Sequence, residues 1–550
     1  MAQLQVLLAK RGTYIFLVCF ALLIHFKHEI YFPQITSDEG VQIQAAKGYT
    51  EGKGFANYSA PATDLSKEQC TPLKLWPVGF SMFLVLSWHI FHDWILAALF
   101  WQLTGVCTLL FSMLRILNLF RISDSLKSVF VLFFALNASP SFYWATTDML
   151  AAGIFLWAAG LALKQATTGN FGLGICVLIA VLSTVNCTLR FASIPNMVII
   201  PGFYLLMGLM RKEKGPIIAA FVIGGCSLLF TFLFFSVFSI DHSRTSFLED
   251  IKHMNFLWSN LKWFDSFPLK AFFYMSPIEY RFPVSHPGMI RIGRLLIHFL
   301  SLCILSFFGW KLLIRDKIQL FRASAVSEQR LLFSYVLLML VFSCAVIGLM
   351  SLESITSAPE RNSFGPPWMP NMWTFVYCTR YFAVIMLMLQ LLLFILLSRT
   401  TLQQERRTVF LLRGLAGASL VYGFLFFGYS NYQMYSPHGN GGASYWYNEK
   451  EEVEIYRTIN RIHKQEPASK LVYAEADQRN DPMTVFSEAT TCENYNAIVS
   501  GHYAAGRHLV LLLKMHPANL QTSDEQLFIQ MHHAKLLIGA RNSELYRVDI

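Results

Sequence analysis

Long apolar runs decide what this chain can fold into. The stretch GPIIAAFVIGGCSLLFTFLFFSVFSI (215–240) carries no charged residue from end to end. About 20 such residues, wound as a helix at ~1.5 Å each, cross the ~30 Å hydrocarbon layer of a bilayer. Only a helix or a closed barrel satisfies its own backbone there. Spans are expected near 12–31, 93–117, 126–141, 147–164, 172–190, 195–210, 216–239, 291–313, 329–350, 374–398 and 408–428, about eleven in all. The run 75–91 reads either as a twelfth span or as a half-buried interfacial helix. Lys10 and Arg11 precede the first run, and no small-residue cleavage pattern follows it, so that run reads as a retained span rather than a leader.

Composition agrees with that reading and excludes a soluble multidomain protein. Hydrophobic residues make up 54% of the 550 and charged residues 14%, against about 25% charged in soluble domains. Lys and Arg number 44 and Asp and Glu 34, for a net charge of +10. In a soluble chain that excess would raise nucleic-acid binding. Here the cations sort to one side. Lys10, Arg11, Arg121, Lys127, Lys164, Arg211, Lys212, Lys214, Arg315, Lys317, Arg322, Arg330, Arg399, Arg406 and Arg407 all fall at hairpin ends that one topology makes cytoplasmic. No nucleic acid is needed as a partner. The N-terminus is then cytoplasmic, and an odd number of spans puts the C-terminus on the other side with three long connections at 32–92, 240–290 and 351–373.

Two domains are expected. Residues 1–428 form the transmembrane part, an all-α multi-pass membrane protein with interfacial helices. After the Gly- and Ser-rich MYSPHGNGGASY, residues 429–550 turn polar and alternate helical and strand-like stretches, which predicts a small non-cytoplasmic α/β domain. Six cysteines, Cys19, Cys107, Cys176, Cys226, Cys303 and Cys344, lie in apolar runs as packing residues. Cys70 and Cys492 fall well away from such runs, which leaves one disulfide open. No Walker loop, dinucleotide fingerprint or HExxH occurs.

The outer connections hold the residues with chemistry in them. Asp38 and Glu39 follow the first span. Adjacent carboxylates at a membrane boundary suit general-base work on a hydroxyl or a hard divalent cation such as Mg²⁺ or Mn²⁺. They equally suit the first turn of a short helix capped by Ser37. Asp148 heads the span MLAAGIFLWAAG, which the positive-inside topology places on the same side and at similar depth as Asp38; it too can be a helix cap. Arg380, Arg190 and Lys74 run against the inside bias at that boundary, with Tyr381 beside Arg380. Such cations recognise phosphate or anionic headgroups. Trp258, Trp263, Trp368 and Trp373 in the outer loops suit sugar stacking or interfacial anchoring. The triplets at Asn57, Asn137 and Asn186 have the form of glycosylation acceptors, with the last two close to the membrane.

These stretches resemble the C-type, polyprenyl-phosphate-dependent glycosyltransferases, in the branch of protein O-mannosyltransferases and lipid A aminoarabinose transferase. The resemblance runs through SDEGVQIQAAKGYTEGKGF (37–55), TPLKLWPVGF (71–80), TTDMLAAGIF (146–155) and CTRYF (378–382). One departure is that Cys70 and Thr71 stand where many members carry a lysine before the Pro-Leu pair, leaving Lys74 as the candidate. The resemblance implies transfer of a sugar from a polyprenyl- or dolichyl-phosphate donor to a protein, lipid or glycan acceptor, with inversion. It gives Asp38 the role of base, with Glu39 and Asp148 on the acceptor and sugar side. Arg380, Arg190, Lys74 and Tyr381 fall at the donor phosphate. A divalent cation and surrounding membrane lipids are further expected partners, in a bacterial inner membrane or an endoplasmic reticulum membrane. A transporter or lipid-carrier translocase is the rival reading, with a non-catalytic member of the same fold as the third. The clear spans are almost free of charge at their centres, where a transporter would carry it.

Overall fold

A computed structural model describes residues 11–31, 37–61, 63–73, 77–137, 146–190, 193–238, 267–273, 287–312, 327–350, 382–402, 406–435, 450–473, 490–492, 498–502, 509–515, 523–539 and 543–550. In chain order the elements are α1 (Arg11–Tyr31), α2 (Ser37–Thr50), β1 (Ala56–Ser59), β2 (Gln69–Pro72), α3 (Gly79–Phe91), α4 (Trp94–Leu119), α5 (Asp124–Asn137), α6 (Thr146–Thr168), α7 (Leu173–Leu189), α8 (Asn196–Arg211), α9 (Lys214–Phe238), α10 (Phe267–Lys270), α11 (Pro287–Trp310), α12 (Ser327–Met350), α13 (Ala383–Leu402), α14 (Arg406–Tyr435), α15 (Lys450–Gln465), β3 (Lys470–Tyr473), β4 (Thr490–Cys492), β5 (Leu509–Met515), α16 (Ser523–Met531), β6 (Lys535–Gly539) and β7 (Ser543–Asp549). They divide into two compact units, one of residues 1–26 and 102–431, the other of 27–101 and 432–550.

The first unit is helical. Among the described residues six helices are long and apolar enough to cross a membrane: Trp94–Leu119, Thr147–Thr168, Lys214–Phe238, Glu328–Leu349, Ala383–Thr400 and Arg406–Gly428. Arg11–Phe26, Leu173–Leu189, Asn196–Arg211 and Phe299–Trp310 are apolar but shorter. Of the stretch expected to span at 126–141, residues 126–137 lie in α5 and the rest fall outside the described residues. Burial separates centre from periphery. Phe394, Leu393 and Leu396 of α13 are fully enclosed, whereas Phe221 and Phe232 of α9 and Phe410 of α14 are about three-quarters exposed, a surface that only lipid would cover at no cost.

Small residues set a close contact between α4 and α6. A Cβ on Gly153 of α6 would sit 2.8 Å from the backbone nitrogen of Leu109 in α4, and one on Gly105 3.1 Å from that of Leu150. Ser112 Oγ donates to the Gly153 carbonyl at 2.9 Å. Missing side chains let the two backbones approach, as is usual where the hydrophobic effect between helices is absent. Gly153→Ala should therefore cost about 1–3 kcal/mol by overpacking, read as a lower unfolding temperature in detergent; an unchanged temperature would mean that the crossing yields freely.

One part of the 240–290 connection is sunk in this helical core. Ala271 and Phe272 are buried within it, and Phe267 stacks on Phe382 at 5.6 Å between ring centres. The turn after α10 leaves carbonyls with no helical partner, which is tolerated in a bundle only if protein groups satisfy them. Gln390 Nε2 donates to Ala271 O at 2.7 Å and Ser419 Oγ to Phe272 O at 2.5 Å.

The second unit carries a seven-stranded mixed sheet in the order β2-β1-β4-β3-β5-β7-β6. Two of its strands come from the 32–92 connection. β1 pairs antiparallel with β2, Tyr58 opposite Cys70, and parallel with β4, Ser59 opposite Thr491. β3 is parallel to both β4 and β5, while β7 runs antiparallel between β5 and β6. Ala60 and Leu65 from the early connection share one core with Val472, Ile498, Val510 and Phe528 from the end of the chain. Cys70 and Cys492 are not joined by a disulfide; the register sets them on strands separated by β1, beyond the ~7 Å Cα separation that a disulfide spans. α3 is 13 residues long, or roughly 20 Å, so it is too short to be a twelfth span.

Candidate active site

Helix starts position Glu39 and Asp148. Ser37, Asp38 and Glu39 form the first turn of α2, where a carboxylate complements the helix dipole. Glu39 is fully buried. The side chain of Asp38 lies outside the described residues, as do Lys74, Arg380, Tyr381 and the tryptophans at 258, 263, 368 and 373. α2 is held along its length: Ser81 Oγ of α3 donates to Gln42 O at 3.0 Å, and Ile43, Ala45 and Ala46 are enclosed.

Asp148 and Arg190 form an ion pair within the first unit. Asp148 sits in the first turn of α6, and Arg190 is the residue just past α7, its backbone already extended (φ −159°). Each charge thus complements the partial charge of its own helix end, and the pair ties the start of one helix to the finish of the next. Their side chains are 2% and 12% exposed, so the pair is a buried one.

Two asparagines make a second rung beneath it. Asn186 Nδ2 donates to Ala151 O at 2.7 Å, and Asn196 Nδ2 donates to Asn186 Oδ1 at 3.2 Å. Ala151 is three residues beyond Asp148, and Asn186 four before Arg190, so both rungs lie on the same facing surfaces. Sequence reasoning took Asn186 only as a glycosylation triplet; its position one turn before an outlying arginine was the available signal. Asn186 is fully buried and Asn137 nearly so, while Asn57 lies in a strand paired on both sides. Neither Asn137 nor Asn186 offers an accessible acceptor in this fold.

Sequence reasoning also passed over two buried lysines, Lys270 of α10 and Lys311 just after α11. The lysine within FPLKAFF was the visible signal for the first. Among the described residues no three His, Cys, Asp or Glu side chains come together as a metal would require. Asp148 has an arginine as its counter-ion.

Six apolar spans, lipid-matched outer faces and ionisable groups gathered at helix ends define an integral, multi-pass membrane protein. No protein family and no curated protein matches the chain. Solved structures do. ArnT from Cupriavidus metallidurans in the apo state is 14% identical with a TM-score of 0.43, and covers 98% of each chain. The same protein bound to undecaprenyl phosphate is 13% identical with a TM-score of 0.44, over the same shares. The archaeal oligosaccharyltransferase AglB from Archaeoglobus fulgidus, in complex with an inhibitory peptide and a dolichol-phosphate, is 9% identical with a TM-score of 0.43, covering 91% of this chain and 69% of that one.

Proposed function

We propose that this chain transfers a sugar from a polyprenyl- or dolichyl-phosphate donor to an acceptor hydroxyl on the non-cytoplasmic face of the membrane, inverting the anomeric carbon. The observation that carries the reading is the buried Asp148–Arg190 pair at the ends of α6 and α7. Charge is kept there at helix ends, at the edge of the spans where a lipid headgroup and a water-soluble acceptor would meet, rather than at the centre of a helix.

In the proposed reaction Asp38 takes the proton of the acceptor hydroxyl as its oxygen bonds to the anomeric carbon. The bond from that carbon to the donor phosphate breaks, and the lipid phosphate leaves with the electron pair. Negative charge gathers on the leaving phosphate, so fixed cations aimed at it supply the largest stabilisation. Arg380, with Lys74 and Arg190, takes that role, and Tyr381 supplies a hydroxyl donor. Glu39 and Asp148 act on the acceptor and sugar side. Arg190 serves on the phosphate side beside its contact with Asp148, since a guanidinium carries five N–H donors. The acceptor is a protein, lipid or glycan hydroxyl. A bacterial inner membrane is the proposed location, with the endoplasmic reticulum membrane as the alternative.

The test is sugar release from a panel of polyprenyl-phosphate sugars by the purified protein. At least one donor should turn over, and Arg380→Ala should raise the donor KM by roughly tenfold or more, as loss of a charged hydrogen bond does, with the acceptor KM unchanged. Equal loss for both substrates would remove Arg380 from the phosphate. A second reading, a lipid-carrier translocase, is favoured by Lys270, a buried cation on a segment sunk into the bundle. Flipping of an intact lipid-phosphate sugar in vesicles, with no release of sugar, would decide for it.

A further inference from the structure

The C-terminal strands and the acid-bearing helix α2 belong to one compact unit. The last turn of α2 meets β1 with no room to spare. A Cβ on Gly48 would lie 2.6 Å from Cε2 of Tyr58, 2.9 Å from Ala56 O and 3.0 Å from Gly54 O. The Tyr49 ring stacks on Phe55 at 4.2 Å, nearly parallel. The turn between helix and strand doubles back through Gly52 (φ +78°) and Gly54 (φ +88°), which favour glycine. Lys53 N donates to Gly48 O at 2.9 Å, and the Tyr58 hydroxyl donates to Lys53 O. Burial, followed by the neighbouring Cys70 sulfur, pushes the Tyr58 hydroxyl up to about 12, so it remains a donor. The Lys53 ammonium lies 2.8 Å from Glu68 and 3.0 Å from Glu51, closing the hairpin.

β1 in turn is an interior strand only because β4 lies beside it. Ala60 and Leu65, which follow β1, are fully or almost fully buried against Val472, Val510 and Phe528. Glu39 is nine residues before Gly48, or about 13 Å along the helix. A swing of about 10° at the Gly48 end therefore moves the acidic end by about 2 Å, and misplacement of ~1 Å costs roughly a hundredfold in rate.

We propose that the C-terminal segment is the mount of α2, and that Gly48 and Tyr58 are positioning residues for the carboxylates Asp38 and Glu39. The inference rests on the glycosyltransferase reading for what those carboxylates do, but not for the mechanical coupling. Coupling requires that loosening the far side of the sheet loosens α2.

The experiment is hydrogen exchange on the full-length protein in detergent, together with sugar-transfer kinetics. Val510→Ala opens the C-terminal core where Ala60 and Leu65 pack. It should speed exchange of the α2 amides 41–47 by about tenfold along with those of β3 and β4, leaving α12 and α13 unchanged. In the same variant kcat should fall by about tenfold or more while the donor KM stays within about twofold. Tyr58→Phe removes one hydroxyl and should give the same pattern at about a third of the size; it keeps the test open if Val510→Ala does not fold. Faster exchange in β3 and β4 with α2 unaffected, in either variant that folds, would overturn the mount. Coupled exchange in a protein that transfers no sugar from any donor would instead uphold the mount and overturn the reading of its purpose.

Discussion

Arg190→Met alone should destabilise the chain by about 3–5 kcal/mol, because it strands Asp148 as a buried charge without its counter-ion. Asp148→Leu alone should do the same by stranding Arg190. The double variant Asp148→Leu/Arg190→Met should recover most of that loss, since replacing both members of a buried pair by apolar groups of like size is often neutral or favourable. Thermal unfolding in detergent separates these outcomes: two low-melting single variants and a double variant close to the natural chain. Additive losses would mean that the two groups do not depend on each other. The double variant then answers the functional question. If it folds and no longer transfers sugar, the pair acts on the substrate; if it folds and retains full turnover, the pair serves only to join α6 to α7.

The difference between what could and could not be read in advance follows sequence separation. The long spans announce themselves, because GPIIAAFVIGGCSLLFTFLFFSVFSI has no other stable place than a bilayer. That Asp148 begins a span was equally plain. That its partner is Arg190 was not, since nothing in either local sequence specifies which neighbouring helix end packs beside it; the α6–α7 hairpin decides that. β1 and β2 are strands of four residues in a polar connection, and they become strands because β4, more than 400 residues later, completes the ladder. Local propensity carries no record of a parallel pairing at that distance. The buried segment around Ala271 was hidden for another reason. It is too short to read as a span and carries a lysine, and what permits its burial is a pair of side-chain donors, Gln390 and Ser419, from distant helices. Gly48 and Tyr58 had no visible reason to matter until their contact was in view.

Asp38→Asn should lower kcat by about 10²–10⁴ with the donor KM and the unfolding temperature unchanged. An amide keeps the size of the carboxylate and its place in the first turn of α2, but cannot take the acceptor proton, and a positioned base contributes about that factor. The same change at Glu39 would read differently: Glu39 is fully buried, so Glu39→Gln disturbs the packing of α2 as well as the chemistry, and its effect on folding must be measured beside its effect on rate. Asp38→Glu supplies the internal control. A longer carboxylate still accepts a proton but reaches from a different point, so partial activity is expected, with the acid limb of the kcat/KM profile retained. Asp38→Asn should lose that limb together with the rate, because the limb reports protonation of the free enzyme's base. An Asp38→Asn protein with full turnover would remove Asp38 as the base. Lost turnover with the limb intact in the residual activity would assign the proton to another group and leave Asp38 the task of orienting the acceptor.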